Sequence, residues 1–364
     1  MIGSPEKIFN LYYREFVIKV LKKAVLLTPL INDQNNRTLM QAQILPEKPS
    51  FKGIFLTVLA LYVLWLPECN GQQNSPITNY MFTNMVFNPA FAGQSGGIAI
   101  TGLIREQWFG FKDSEGYGTW TPETIFLTID SPIRAIHGGI GGMVSQDKIG
   151  AFTNTIVKIG YAYKAEIGPG IFSAGLQLGF QNGKFDYSKL HAVNGTDPLL
   201  QGGQQKSDMI FDGALGLYYR VPDKFYVGLS GDQLLQSKGS NTQYQLQRTY
   251  YLTGGYQWDI PNHPAFQLQP SAIVMFDGAA FTFSVSGLLW YNNKFYGGLA
   301  YRLQDAASIL AGMTIKGFRI GLAYDIGVSK IMKYSNGSFE VMLNYILKIE
   351  GEKSKRSYRN TRYL

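Results

Sequence analysis

Three histidines, His137, His191 and His263, are the first candidates for chemistry, yet none stands at the i, i+4 or short-loop spacing that a zinc site needs. Cys69 is the only cysteine, so neither a thiolate cluster nor an internal disulfide can form. A nucleophilic hydrolase needs a serine, a base and an orienting acid together. The nearest set is Asp186, Ser188 and His191, within one polar stretch whose loop composition accounts for it. Gly138, Gly139, Gly141 and Gly142 have the look of a phosphate loop, but no helical sequence follows them. Bulges or close packing inside a strand-built body fit them better. The expectation is therefore no catalytic residue, no metal and no cofactor.

The elements that would carry such residues are strands. The 364 residues hold 41 glycines, 23 Tyr and 23 Phe, with only 16% charged side chains against a usual ~25%. Mean hydropathy is −0.06. Few charges with many glycines and aromatics suit a sheet that faces two different solvents. From Gly97 onward, windows of about ten residues rich in Val, Ile, Tyr, Phe and Thr recur between Gly, Pro, Asn and Asp clusters, with no sustained 3.6-residue period. The segments run near 97–107, 123–131, 137–146, 151–165, 171–182, 207–220, 225–233, 248–258, 265–275, 281–290, 294–302, 308–315, 318–325 and 338–349. Phe281, Phe283, Val285 and Leu289 share one face against Thr282, Ser284 and Ser286; Phe339, Val341, Leu343, Tyr345 and Leu347 oppose Glu340, Asn344 and Lys348. A soluble sandwich and a membrane barrel both alternate in this way.

Connector lengths separate the two. Counted alternately, four of seven connectors on one side reach twelve residues or more, and none on the other exceeds six, the asymmetry of outer-membrane barrels. An all-β fold is predicted: a transmembrane antiparallel β-barrel of about 14 strands over residues 97–350. Hydrocarbon offers no partner to a bare strand edge, so the sheet must close. Trp108, Trp120, Tyr161, Tyr163, Tyr218, Tyr219, Tyr256, Trp258, Trp290, Tyr291 and Tyr301 would form interfacial girdles.

Residues 54–66, thirteen mostly apolar positions after Lys48 and Lys52, are too short to span a bilayer as a helix and read as the core of a secretory signal over 40–71, cut between Gly71 and Gln72. Glu68 before Cys69 speaks against a lipoprotein. Residues 1–39 read as a dispensable or misassigned extension. The first 71 residues hold eight basic and five acidic groups, so the net charge falls from +8 to +5 without them, and four of those five lie in the tail 351–364. The pI of 9.2 thus gives no sign of a nucleic-acid partner. Residues 72–96 are apolar enough to need burial, either as a periplasmic cap or plug of the barrel or by packing on the first strand. The basic tail, periplasmic by strand parity, either binds an acidic partner or is a solvated terminus.

Particular motifs say more. Asn88-Pro89-Ala90-Phe91-Ala92-Gly93, then Arg105, Gln107, Trp108 and Gly110, then Pro122 and Asp130, resemble the amino-terminal signature of the PorP/SprF family. Gly138 to Gly150 with Asp147, Tyr301-Arg302 with Asp305-Ala306, and Gly321 to Tyr324-Asp325 ahead of Gly337-Ser338-Phe339-Glu340 are similar to its strand and hairpin patterns, with Phe339 where a histidine is expected. The resemblance covers roughly 80–350. It implies a non-enzymatic outer-membrane barrel of the type IX secretion and gliding system that assists export or surface attachment of a very large adhesin-like cargo. The partners it implies are outer-membrane lipid, the cargo's carboxyl-terminal domain and other secretion components. A passive diffusion porin or substrate-specific channel is the alternative.

Overall fold

The structure, a computed structural model, describes residues 74–111, 121–189, 205–242, 244–278 and 280–348. The expected signal segment 40–71 with its expected cut between Gly71 and Gln72, residues 1–39, residues 351–364, Trp120 and His191 lie outside the described residues.

Fifteen strands follow in order: β1 (Ile98–Glu106), β2 (Glu123–Ile133), β3 (Gly138–Ile149), β4 (Phe152–Ile167), β5 (Gly170–Asp186), β6 (Gln205–Val221), β7 (Phe225–Asp232), β8 (Thr249–Tyr256), β9 (Trp258–Asp259), β10 (Phe266–Phe276), β11 (Phe281–Tyr291), β12 (Phe295–Arg302), β13 (Ala306–Ile315), β14 (Phe318–Gly327) and β15 (Ser338–Leu347). β9 continues β8: Gly255 faces Ser271 and Trp258 faces Leu268 in one register. The gap lies opposite Pro270, which has no N–H to give the ladder. On the β7 side the register runs on without a break, Gln257 N–H donating to Lys224 O at 2.6 Å. Fourteen physical strands therefore form the wall, the number the sequence pattern predicts.

Every neighbour is antiparallel, and β1 pairs with β15 through nine residue pairs, from Ile98 with Leu347 to Glu106 with Phe339. The sheet has no edge. Followed once round the ring, the registers accumulate a shear of 14 residues. With ~3.3 Å per residue and ~4.8 Å between strands, this sets a tilt of about 35° and a backbone radius of about 13 Å. Such a bore is too wide for wall side chains alone to fill.

The alternation is the reverse of a soluble protein's. Ile104, Leu127, Ile159, Leu178, Leu229, Leu252, Leu299 and Leu322 point outward, Ile159 to 72% and Leu299 to 67% exposed. Thr101, Thr128, Gln177, Asp212, Thr253, Ser284 and Asn344 point inward and are buried. An unpartnered apolar outside and a polar inside require hydrocarbon around the ring. β4, β5 and β6 exceed the ~10 residues that cross a bilayer. At their far ends the outward residues change from Val157 and Phe180 to Thr153, Thr155, Asn182 and Lys184, so these strands project beyond the apolar band.

The strand ends that border 107–122, 187–204, 233–248 and 328–337 lie at one end of the barrel; the connectors at the other, 134–137, 168–169, 222–224, 260–265, 292–294 and 316–317, are all short. The girdle expectation needs correction. Tyr161, Tyr163, Tyr256, Trp258, Tyr291 and Tyr301 do face outward, but Trp290 and Tyr218 are buried inside the lumen. Both pack there against the segment that precedes β1, whose presence the strand pattern of the wall does not announce.

Candidate functional site

Residues 74–97 lie inside the ring. They form a 3-10 turn (Tyr80–Phe82), a one-turn helix α1 (Asn84–Phe87) and a second 3-10 turn (Pro89–Phe91) before Gly97 enters the wall. Pro89 ends α1, because a residue before proline is pushed out of the helical region, and Asn88 is extended at φ −141°. The Asn88 carboxamide oxygen then caps the next turn by accepting from Ala90 N–H at 2.9 Å. Its amide group donates outward to Leu217 O at 2.9 Å, tying the turn to β6. One residue thus closes one element, starts another and fixes both to the wall.

At the long-loop end the segment meets a buried charge cluster. Arg105 Nη1 lies 2.6 Å from Glu340 Oε1 and 2.9 Å from Asp325 Oδ2. Arg302 donates to Asp305 at 2.8 Å and lies 3.7 Å from Asp325. Into this array the segment inserts Thr78, whose hydroxyl donates to Asp325 at 2.8 Å and accepts from Arg302 Nη2 at 2.9 Å. The backbone N–H groups of Thr78 and Asn79 both donate to Glu340, at 2.6 and 2.9 Å. The buried part of the cluster sets two cations, Arg105 and Arg302, against two carboxylates, Asp325 and Glu340, with the partly exposed Asp305 as a third carboxylate at the edge; a buried set of this kind holds only while every charge is paired.

Between the ends the contact is apolar. Ile77, Tyr80, Met81 and Phe87 share a buried cluster with Leu103, Tyr251, Leu288, Trp290, Tyr296, Leu310 and Met342 of the wall. Phe82 stands 5.2 Å from the Tyr296 ring and 6.1 Å, edge-on, from Trp290, with the Arg319 guanidinium 4.7 Å above it. The Tyr80 hydroxyl closes a triangle with Ser286 and Ser271 at 3.0 and 3.2 Å.

Glycines give the segment its room. A Cβ on Gly139 would fall 2.4 Å from Ala92 O, on Gly175 2.4 Å from Ala90 N, and on Gly216 2.1 Å from Asn88 Oδ1. These are backbone or capping atoms that cannot yield cheaply. At the short-turn end Gln94 donates to Ser173, Ser95 donates to Asp130 at 2.9 Å, Arg220 donates to Gln94 O at 2.8 Å, and the Lys164 ammonium binds the Gly93 carbonyl. Residues 74–95 hydrogen-bond in all to twelve of the fourteen wall strands. β3 is reached through its glycines and β13 through Leu310. This is a plug, covalently continuous with the wall it fills.

The profile of the type IX secretion system membrane protein PorP/SprF matches residues 69–345, most of the chain, plug and wall together. The chain belongs to the PorP/SprF family. Comparison with curated proteins returns no match. Among solved structures it is similar to the Ralstonia pickettii toluene transporter TbuX, at 12% identity over 72% of this chain and 92% of that one, with a TM-score of 0.47. It is also similar to Omp33 of Acinetobacter baumannii (8%, 70% and 100%, 0.40) and to the KdgM porin (9%, 68% and 99%, 0.33). The protein is an outer-membrane β-barrel.

In this PorP/SprF barrel the motif residues singled out by sequence divide into groups. Asn88, Pro89, Gly93, Asp130, Arg302 and Asp325 converge on the plug. Trp108 and Tyr324 shape the long-loop rim: Trp108 N–H donates to Ser338 Oγ at 3.0 Å, and the Tyr324 hydroxyl binds Asn336 O. Asp147 accepts from Thr124 at 2.6 Å, apart from the plug, and Tyr301 faces outward at 43% exposure. Asp186 Oδ1 accepts from the Ser188 hydroxyl at 2.6 Å and from the Ser188 N–H at 3.2 Å, the second an Asx turn. Sequence reasoning missed Thr78 and Asn79, whose signal was two polar residues placed at the head of an apolar run. Among the described residues no group of three His, Cys, Asp or Glu could hold a metal ion, and no helix is long and apolar enough to cross a membrane.

Proposed function

We propose that this PorP/SprF barrel is a non-enzymatic accessory of type IX secretion, which serves as outer-membrane attachment point for the carboxyl-terminal domain of a large secreted cargo. Short turns face the periplasm and long loops the outside, as in other outer-membrane barrels. The observation that carries the reading is the occupied lumen. A diffusion porin works through an open bore, whereas here the bore is crossed by a segment that is bonded to twelve wall strands. Cargo contact then falls to the outer surface, where connector 233–248 is built as a fixed platform. Asp208 accepts from Asn241 N–H at 3.0 Å, from the Thr242 hydroxyl at 2.6 Å and from the Ser240 hydroxyl at 3.3 Å, and Leu246 is fully buried beneath.

A reporter fused to the carboxyl-terminal domain of a type IX cargo tests the proposal. It should co-purify with the barrel from detergent extracts and be displayed on cells that carry the barrel. Replacing 236–247 by a short Gly-Ser link should reduce display while the barrel still folds. Equal display with and without the barrel would remove the proposal.

A further inference from the structure

Charge at the short-turn mouth is one-sided. Arg134, Lys224, Lys294 and Lys316 stand in four of the six short connectors, and Lys164 and Arg220 at strand ends, against Glu166, Asp223 and Asp259. A cavity of about 590 Å³ opens there, between plug residues Gly93 to Gly96 and the ends of β4 and β6. Its charged lining is Arg134, Lys164, Arg220 and Glu166, with His137 beside them. Counting Asp130 behind it, held by Ser95, cations still outnumber carboxylates. Arg220 gives Nη1 to a plug carbonyl, which does not cancel its charge, and its Nε is buried with no partner. Gly96, at φ +76°, has nothing within 4 Å of where a Cβ would stand, so the backbone there lies open to an incoming chain.

We propose that this mouth is a docking site for an acidic stretch of a partner protein. The cavity is bordered on one side by plug residues Gly93, Gln94 and Gly96, so an extended Asp- or Glu-bearing chain can enter beside the plug. Charge of one sign inside a low-dielectric rim concentrates the opposite sign and quickens encounter. That the partner is periplasmic rests on the orientation proposed above; the binding itself does not.

The test uses the purified full-length barrel in neutral detergent and a fluorescein-labelled ten-residue Glu-Gly peptide, with a Gln-Gly peptide as control, read by anisotropy. The Glu peptide should bind at low salt and be released as salt rises, while the Gln peptide should not bind. Arg134→Glu, in the short turn 134–137 and outside the plug segment, should weaken binding at least about tenfold, and Arg134→Lys by less than about threefold. Arg248→Glu at the opposite end, and removal of 351–364, should leave binding unchanged. A Gln94→Cys/Ser173→Cys crosslink confirms in each variant that the plug is seated. Absent binding, binding indifferent to Arg134→Glu, equal binding of the Gln peptide, or displacement by phosphatidylglycerol vesicles would overturn the proposal. None of these outcomes touches the occupied lumen, so the attachment reading fails or stands separately.

Discussion

Arg105 is 1% exposed and is paired with Glu340, itself 1% exposed, and with Asp325. Removing it leaves Glu340 with no cation and Asp325 with only Arg302, 3.7 Å away, both out of water, a change of the kind that costs about 3–5 kcal/mol. Arg105→Met should therefore lower the unfolding midpoint of the detergent-solubilised barrel well below wild type. The triple change Arg105→Met/Asp325→Asn/Glu340→Gln should recover part of that loss, because no unpaired charge remains. Equal melting of wild type and Arg105→Met would contradict the clamp. The partners of this clamp were readable from sequence as motif residues or luminal charges: Arg105, Arg302, Asp325 and Glu340 were all in view. Their convergence was not, because it depends on strands far apart in the chain and on Thr78, which supplies the shared hydroxyl.

At the scale of elements the plug depends on glycines in the wall. Gly175→Leu drives a side chain into the Ala90 backbone and should expel the second 3-10 turn. A Gln94→Cys/Ser173→Cys pair should then crosslink in the otherwise wild-type barrel but not together with Gly175→Leu. Phe87→Cys, in a Cys69→Ser background, should resist a membrane-impermeant maleimide until the protein is denatured; free labelling in the native state would argue against a plug. Strands were the legible part. A period of two over fourteen windows fixed their number and nearly their limits, because each alternates apolar outside with polar inside. The interior was less legible. Residues 72–96 announced a need for burial, but a cap, a plug and packing on the first strand satisfy the same composition. Wall residues such as Leu288, Trp290 and Met342 break the polar-inside rule only because the plug covers them.

For the whole molecule, closure and content are separate matters. Closure follows from fourteen ladders that return β15 to β1, as a hydrocarbon solvent demands. The bore that this geometry leaves, about 13 Å in radius at the backbone, would conduct if it were empty. The plug follows from the chain's own amino-terminal segment, tied by the charge clamp at the long-loop end and by Asp130, Lys164, Ser173 and Arg220 at the short-turn end. Single-channel recording in planar bilayers tests the two together. The wild-type barrel should stay closed or show only brief, small events, and deletion of 74–95 should produce steady large openings. A wild-type barrel that holds a large steady pore, unchanged by that deletion, would contradict the account.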